Sequence, residues 1–384
     1  MTVRIVVLGA GLVGTHLAVG LERIKSGELE PYGVPLAKYK LEIPIENLDI
    51  VGFFDVDESK VGKTMYELAL RTLGDILPIP KSLADIQVFR GLHFGSLSGL
   101  PFKAKGLEEY HGIEGGAQKF LEVIDDLKPD VIVNVITTEN ATPFSSKDEL
   151  SKAFREGKIS ASQAYAYILS EYLRKRDIVF ANFIPSPIAN DEAVVKLYEE
   201  LGGLVFGDDG ATGATPLTAD LLEHLAQRGR KVLSIAQFNI GGNTDFLALS
   251  EPQRNLMKEV TKSSIVEDIL GYDVPHFIKP TGYLEPLGDK KFVSMHIWWK
   301  TFNGLEDELI INMRINDSPA LAGLIVDVAR IGIALLKRGI KGTMYEVNAY
   351  FMKRPGPPGS KNMARAIAYY KLLEKLKSLG IIIS

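Results

Sequence analysis

The stretch VRIVVLGAGLVG, Val3–Gly14, decides the fold of this chain. Its first half, Val3–Leu8, is a short β-branched run that is typical of a buried parallel strand. Three glycines follow at the spacing GxGxxG, and the segment after them carries apolar residues at helical spacing. This order predicts a dinucleotide-binding unit, in which Gly9 forms the turn, Gly11 lets the backbone approach a pyrophosphate, and Gly14 lets helix and strand pack closely. The alternative is a tight strand-to-helix turn without a ligand.

A carboxylate follows the second predicted strand, Leu48–Phe54, in the sequence Asp55-Val-Asp57. At this place an acidic side chain binds the ribose hydroxyls and favours NAD over NADP, because a carboxylate repels a 2′-phosphate. We assign this role to Asp55, with Asp57 as the alternative, since the spacing from the glycines exceeds the usual twenty or so residues. The loop residues assigned to the cofactor are Gly9, Ala10, Gly11, Leu12, Val13 and Gly14.

Two later loops carry polar residues where ligands gather in an open parallel sheet, at the carboxyl ends of strands. Thr137 and Thr138 follow the strand that begins after Asp130, and they could equally cap the next helix. Asp208 and Asp209 lie in the glycine-rich loop after Leu204–Phe206, which could also be only a flexible connection. We predict that these four residues contact the cofactor.

Composition narrows the class of protein. The chain has 384 residues and a formal net charge of −4, which predicts two domains and provides no basic field for nucleic acid or an acidic membrane. It has no cysteine, so disulfides, thiolate metal sites and a thiol nucleophile are excluded. The six histidines lack metal-ligand spacing. Without an N-terminal leader pattern or a run of some 18 apolar residues, we expect a cytoplasmic enzyme.

The stretch Gln237–Leu270 concentrates the residues with candidate chemistry. It contains a Gly-Gly-Asn turn, Asp245, and two lysines four apart, Lys258 and Lys262. In one continuous helix these lysines share a face with apolar residues and point inward. Alternatively, a new helix starts at the capping box Ser264-x-x-Glu267. Either arrangement favours an anion, although solvated surface lysines would give the same pattern.

The rest of the chain completes an α/β architecture. A Rossmann-type parallel sheet is predicted over residues 1–236, and a catalytic and oligomerising domain on a mainly antiparallel sheet over 237–343. A C-terminal segment, 344–384, returns to the first domain. Asn303-Gly304 predicts a hairpin turn in the second sheet, and Tyr345–Phe351 is predicted to be a strand. No chemistry is assigned to residues 77–116.

A series of seven motifs, in this order, resembles myo-inositol-1-phosphate synthase: NFIPSPIAN, VFGDDGATGAT, QFNIGGNTDFLALS, KEVTKSSIVEDIL, LEPLGDKK, NDSPALAGLIVD and AYFMKRP. The resemblance covers essentially the whole chain and is to the shorter form found in archaea and some thermophilic bacteria. Two departures stand out: Pro216 replaces a lysine found in many relatives, and Gly241–Thr244 replaces the LGNN of many eukaryotic ones.

The resemblance implies a reaction and an assembly. Members of the family convert D-glucose 6-phosphate to 1D-myo-inositol 3-phosphate with NAD, which oxidises the sugar and then reduces it again. It also implies a homotetramer, and some relatives use a divalent metal or a monovalent cation, for which this sequence names no ligands. The rivals are an NAD-dependent dehydrogenase with net hydride transfer and a non-catalytic NAD sensor.

The resemblance also implies the roles of individual residues. Lys262 and Lys353 act at the reacting carbons and oxygens, Lys258 and Lys291 hold phosphate or oxyanion, and Asp317 orients a lysine. Crowding is expected to lower the pKa values of these lysines. The residues assigned to substrate binding are Asn243, Asp245, Ser263 and Lys290, and Asp209 is placed beside the nicotinamide.

Overall fold

The computed structural model describes residues 2–383, apart from the side chains of residues 260–264. Ten strands alternate with helices in the first half and lie close together in the second. The strands are β1 Val3–Leu8, β2 Leu48–Asp55, β3 Val88–Arg90, β4 Val131–Asn134, β5 Val179–Asn182, β6 Leu204–Phe206, β7 Lys231–Gly241, β8 His276–Tyr283, β9 Lys290–Lys300 and β10 Glu306–Asn316. The helices are α1 Leu12–Lys25, α2 Met65–Leu73, α3 Leu107–Leu127, α4 Lys147–Arg155, α5 Ala161–Tyr172, α6 Glu192–Leu201, α7 Thr215–Gln227, α8 Thr244–Ala248, α9 Pro252–Leu270, α10 Asp317–Leu336, α11 Tyr345–Phe351 and α12 Arg365–Ser378.

The first six strands form one parallel sheet in the order β3-β2-β1-β4-β5-β6. Alternate residues of β1 enter two different cores: Ile5 and Val7 pack with α1 and α10, whereas Val6 and Leu8 pack with α3 and α5. Burial of both faces explains the uninterrupted apolar strands of the sequence. The predicted Rossmann-type fold is therefore confirmed, and its strand order reverses between β1 and β4, where such sheets bind ligands.

Helix α10 lies in the core on one face of the parallel sheet. It packs against α1, β4 and β5, and it carries a buried ion pair in which Arg330 Nη1 lies 2.8 Å from Asp327 Oδ1. By length and composition α10 could cross a membrane, but 67% of its apolar window is buried inside the protein. The buried core helix of a soluble protein passes the same test of length and composition.

The second sheet has the order β10-β9-β7-β8, with two antiparallel pairings and one parallel pairing. Its inner face packs on α7 and α9 through residues such as Val293, Met295 and Ile297. The predicted hairpin is confirmed: β9 and β10 pair from Lys300 and Glu306 onward, and Asn303 turns the chain with a φ of 63°. A mixed sheet of this kind completes the predicted α/β class.

Two local predictions met different outcomes. The predicted strand at Tyr345–Phe351 is wrong, because α11 occupies this segment and places Val347 and Phe351, four residues apart, on one buried face. Helix α9 is continuous, so the alternative of a new helix at Ser264 is not what the backbone forms.

The second sheet starts at Lys231, and α10 packs in the core beside the parallel sheet. We therefore propose domain boundaries near 230 and 317.

Candidate functional site

One large cavity runs from the glycine loop to the start of α10. It occupies about 1280 Å³, including the solvent at its mouth. Its walls come from the carboxyl ends of the parallel strands on one side and from α8, α9 and the start of α10 on the other. The lining residues predicted from the sequence are Gly9, Gly11, Leu12, Val13, Asp55, Thr137, Asp209, Asn243, Asp245, Lys258, Asp317 and Lys353.

The glycine loop has the geometry of a phosphate-binding turn. Gly9 has a φ of 103°, and a Cβ there would lie 2.7 Å from the carbonyl oxygen of Val135. A Cβ on Gly14 would lie 2.6 Å from the carbonyl oxygen of Gly9, whereas one on Gly11 would meet nothing within 4 Å. Gly11 precedes α1 and offers no side-chain cap, so the first-turn N–H groups of the helix are left for an anion.

Donors of the protein itself occupy all the acceptor positions of the Asp55 carboxylate. Its Oδ1 accepts the N–H groups of Val56 and Asp57, at 2.8 and 2.9 Å. Its Oδ2 accepts the N–H of Ala10 at 2.8 Å and a hydrogen bond from Lys60 Nζ at 3.1 Å. A carboxylate has about four acceptor positions. Asp55 therefore holds the glycine loop, and Asp57 becomes the better candidate for a ribose hydroxyl.

The end of β4 is tied to the second domain through Thr138. Thr137 lines the cavity, whereas the hydroxyl of Thr138 donates to Asp245 Oδ1 at 2.7 Å. Asp245 Oδ2 in turn lies 3.7 Å from Lys258 Nζ. Thr138 thus positions the carboxylate of Asp245 beside Lys258. A direct contact between Thr138 and a cofactor stays a prediction.

Asp208 and Asp209 have opposite surroundings although they are neighbours. Asp208 is fully buried and accepts hydrogen bonds from the side chains of Asn182 and Asn190 and from the main chain at Ile188. It does not line the cavity, so its predicted cofactor contact is not supported. Asp209 does line it, and both Lys258 and Lys353 donate to its Oδ1 at 3.0 Å.

Main-chain pairing explains how Lys353 reaches this place from a distant part of the sequence. The N–H of Lys353 donates to the carbonyl oxygen of Asp209 at 2.6 Å, and the main chains of Asp208 and Arg354 exchange two further hydrogen bonds. The loop after β6 and the segment after α11 therefore form one two-stranded ladder. Asp209 and Lys353 project from it to the same side.

A second buried ion pair lies on the other wall. Lys291 Nζ lies 3.3 Å from Asp317 Oδ1, which also accepts the hydroxyl of Thr212 at 3.3 Å. Lys291 is buried, whereas Lys290 is exposed, because successive residues of β9 face opposite sides of the sheet. Lys290 does not line the cavity, so its predicted substrate contact is not supported. Asn243 caps α8 and donates to Asp289 Oδ1 at 2.9 Å.

The charges of this cluster shift its pKa values in different directions. Burial would raise the pKa of Asp209, but the charges of Lys258 and Lys353 outweigh burial and hold the pKa well below its usual range. Burial would lower the pKa of Lys258, but Asp209 and Asp245 outweigh it and raise the pKa. The pKa of Lys353 is lowered by burial and by the charges of Lys258 and Lys291. The expected lowering of pKa thus holds for Lys353 and is wrong for Lys258.

Two predicted site residues, Lys262 and Ser263, have side chains outside the described part of the structure. Their backbone belongs to α9, one turn after Lys258. Residues four apart share a face of a helix, so the prediction that Lys262 joins the cluster stands on sequence spacing alone.

Comparison with known proteins identifies the family of this chain. A family model described as myo-inositol-1-phosphate synthase matches residues 213–318. The crystal structure of a myo-inositol-1-phosphate synthase-related protein from Thermotoga maritima is 50% identical, covers 99% of both chains and superposes with a TM-score of 0.93. The chain belongs to the myo-inositol-1-phosphate synthase family.

More distant relatives extend this result. The inositol-3-phosphate synthase of Corynebacterium glutamicum is 27% identical over 95% of this chain and 96% of its own. The inositol-3-phosphate synthase of Caenorhabditis elegans is only 16% identical, yet its structure has a TM-score of 0.82 over 99% of this chain and 86% of its own. The latter similarity shows a common fold.

Part of the cavity wall could not be predicted. Leu92, Ser96, Leu97 and Phe102 line it, although no chemistry was assigned to residues 77–116. Arg254 was also missed; its guanidinium donates to the carbonyl oxygens of Ser96, Ser98 and Thr138 and joins two cofactor-side loops to α9. These residues act through shape or main-chain contacts, and neither leaves a motif in the sequence.

One group of possible metal ligands occurs among the described residues, and it contains a single histidine. His93, Glu108 and Glu109 bring ligand atoms within 4.8 Å of one another. Their atoms already make hydrogen bonds: His93 Nε2 accepts the N–H of Leu97, and Glu108 accepts the N–H groups of His93 and Phe94. The group therefore has a structural explanation.

Proposed function

We propose that this chain is an inositol-3-phosphate synthase that converts D-glucose 6-phosphate to 1D-myo-inositol 3-phosphate with NAD. The observation that carries the proposal is that Lys258 and Lys353 share Asp209, and Lys291 pairs with Asp317, at one end of the cavity. Family membership supports the same reaction. The enzyme is then an isomerase, an intramolecular lyase without net redox change.

The residues of the cavity fit NAD. The open space at Gly11 and the uncapped start of α1 suit a pyrophosphate, and Asp57 suits the adenosine ribose. The far end of the cavity reaches Asp209 and Lys353. When bound there, NAD supplies a hydride acceptor and donor for the sugar.

The chain's own residues supply the proton transfers and the charge stabilisation. Ring closure requires removal of a proton from C6 of the sugar, stabilisation of the resulting enolate, and protonation of the C1 oxygen. Because its pKa is lowered, Lys353 is suited to accept and return a proton. Lys258 has a raised pKa and stays cationic, which suits it to stabilise an oxyanion or the phosphate.

The aspartates keep these lysines in place. Asp209 holds two ammonium groups on one oxygen atom, and Asp317 holds Lys291. A buried cation without a partner would be strongly destabilising, so these pairs allow a cationic pocket to exist before the substrate binds. Asn243 and Asp245 are proposed to bind sugar hydroxyls, and Lys262 to act beside Lys353.

We also propose that the outer face of the second sheet is where copies of the chain associate into a homotetramer. Phe238, Phe277, Trp298 and Ile310 are all exposed on this face, and the rings of Phe238 and Phe277 lie 5.4 Å apart. Contiguous exposed apolar groups of this kind mark association surfaces. A cytoplasmic location and a metal or monovalent cation at the phosphate stay predictions.

The deciding experiment is incubation of the nucleotide-free enzyme with glucose 6-phosphate and substoichiometric NAD, with inositol phosphate and NADH measured together. Product that far exceeds the added NAD, without accumulated NADH, is expected for the synthase. NADH equal to oxidised substrate would identify a dehydrogenase, and NAD binding without turnover would identify a sensor. Repeating the assay with a chelator, and then with monovalent salts exchanged, tests the cation.

A further inference from the structure

A buried arginine joins two loops on the cofactor side to helix α9. Arg254 is 8% exposed and lies in α9, one turn before Lys258. Its Nη1 donates to the carbonyl oxygens of Ser96 and Thr138, at 2.8 and 2.5 Å, and its Nη2 donates to that of Ser98 at 3.0 Å. It borders a second cavity of about 1000 Å³, including the solvent at its mouth. Arg254 does not line the main cavity, so any effect on the sugar is indirect.

Thr138 connects this arginine to the lysine cluster. Its carbonyl oxygen accepts from Arg254, and its hydroxyl donates to Asp245 Oδ1 at 2.7 Å. Asp245 Oδ2 lies 3.7 Å from Lys258 Nζ. Arg254 and Lys258 are four residues apart, on one face of α9, so the contacts close a ring that returns along the helix. This ring fixes the direction in which Lys258 reaches Asp209.

The contact with Thr138 separates this arrangement from simple support of a loop. Ser96 and Ser98 both belong to the loop after β3, and Ser96 lines the main cavity. An arginine bound only to this loop would affect the affinity for the nucleotide. The third acceptor belongs to the residue that holds Asp245, so loss of the guanidinium would leave a carbonyl oxygen without this donor at the junction with Lys258.

We propose that Arg254 is a positioning residue, which acts through Thr138 and Asp245 to hold Lys258 against Asp209. The inference rests on the proposed function, because it assigns a further residue to the same lysine cluster. It concerns the placement of a cation that already belongs to the cluster, and not a new step of the reaction.

Steady-state kinetics at saturating NAD and glucose 6-phosphate tests the proposal. Arg254→Ala should lower kcat about tenfold to a hundredfold, the size of effect expected when a catalytic group is displaced by about 1 Å. Arg254→Lys should keep more of kcat, since its ammonium group still donates to carbonyl oxygens. Gln253→Ala is the matched control, because Gln253 borders the same second cavity but is exposed. Its kcat should stay within about threefold of wild type.

The pH dependence of kcat distinguishes positioning from a general loss of packing. Burial lowers the pKa of Lys353, the charges of Lys258 and Lys291 also lower it, and those of Asp209 and Asp317 oppose the lowering. If Lys258 withdraws, Lys353 loses a neighbouring cation and its pKa rises. The rise of kcat with pH should therefore move to higher pH in the alanine variant. A variant that only loosens packing would lower kcat without moving this rise.

Chemical rescue uses the second cavity. Because Arg254 borders this cavity and its open mouth, guanidinium chloride at a low, non-denaturing concentration should enter the space left in Arg254→Ala. It should restore part of kcat, whereas the same concentration of sodium chloride should not.

A second variant tests the route through Thr138. Thr138→Val removes the hydroxyl that binds Asp245 and keeps the carbonyl oxygen that binds Arg254. It should move the rise of kcat in the same direction, and its effect on kcat should not add to that of Arg254→Ala in the double variant. Thermal unfolding shows whether each variant is folded. If Arg254→Ala is not, Thr138→Val and Arg254→Lys decide the question.

Weaker NAD binding with an unchanged kcat at saturation would overturn the proposal and leave Arg254 as a support of the loop alone. Fully additive effects, or a pH dependence that does not move, would also overturn it. These outcomes leave the synthase function intact, whereas absence of product from the wild-type enzyme would overturn the proposed function itself.

Discussion

Replacement of Asp317 by asparagine should make the stability of the protein depend less on pH. The carboxylate is the partner of Lys291 and Thr212 and is 19% exposed. Burial would raise its pKa, but the charges of Lys291, Lys353 and Lys258 outweigh burial and lower it to about 2. Because the folded pKa is below the unfolded one, the ionised carboxylate stabilises the fold above about pH 4, and this contribution is lost as the pH falls towards 2.

The size of the effect follows from the shift. A change from 3.8 to about 2 corresponds to about 2 kcal/mol of unfolding free energy near neutral pH and roughly half of that near pH 3. Asparagine cannot ionise, so the difference in unfolding free energy between wild type and Asp317→Asn should be about 1 kcal/mol smaller near pH 3 than near neutral pH. Urea unfolding followed by the fluorescence of Trp298 and Trp299 measures it.

The same variant should lose activity. Lys291 would keep its buried position without a carboxylate, and kcat/KM should fall about tenfold to a hundredfold, as for one lost hydrogen bond between charged groups. Asp75→Asn, at an exposed position, is the control for removing one surface charge. A difference in unfolding free energy that stays constant from neutral pH to about pH 3 would refute the assignment of this pKa shift to the lysine cluster.

Three further predictions follow from the same contacts. Lys291→Ala should lower kcat/KM at least about a hundredfold, whereas kcat/KM of Lys290→Ala, one residue away but exposed, should stay within about threefold of wild type. Steady-state kinetics with glucose 6-phosphate compares the two variants. Equal losses of kcat/KM would contradict the register of β9. In the wild type, kcat should rise with pH as Lys353 loses its proton, since burial and neighbouring cations lower its pKa. Lys353→Arg should remove this rise. An unchanged pH–rate profile in Lys353→Arg would exclude Lys353 as the base. Trp298→Glu should shift the oligomer towards smaller species in light scattering, because Trp298 is 40% exposed on the outer face of the second sheet. An unchanged mass of the oligomer would place the interface elsewhere. Glu306→Gln on the same sheet is the control.

Much of the fold could be predicted because its signals are local. The β-branched run before Gly9 and the apolar helix after Gly14 need only neighbouring residues to form a strand, a turn and a helix. Asn303-Gly304 likewise fixes a hairpin through its own backbone preference. The strand predicted at Tyr345–Phe351 is wrong because the alternation of apolar residues in this segment also suits a strand. There, burial of Asn348 against Gly207 and Gly356 favours a helix, and Gly207 is distant in sequence.

The site is harder to predict than the fold, because neighbouring residues of the same type have opposite surroundings. Asp208 supports a loop and Asp209 faces the cavity; Lys290 is exposed and Lys291 is buried in an ion pair. A shift of one residue in register would exchange each pair, and composition cannot detect that shift.

The register in both cases is fixed by main-chain hydrogen bonds. The segment 208–211 pairs with 351–354, and β9 pairs with both β7 and β10. These ladders place Lys353 beside Asp209 and Lys291 beside Asp317, and the two aspartates then offset the cost of burying the lysines. Activity in this protein should therefore be as sensitive to changes that shift these ladders as to loss of a lysine itself.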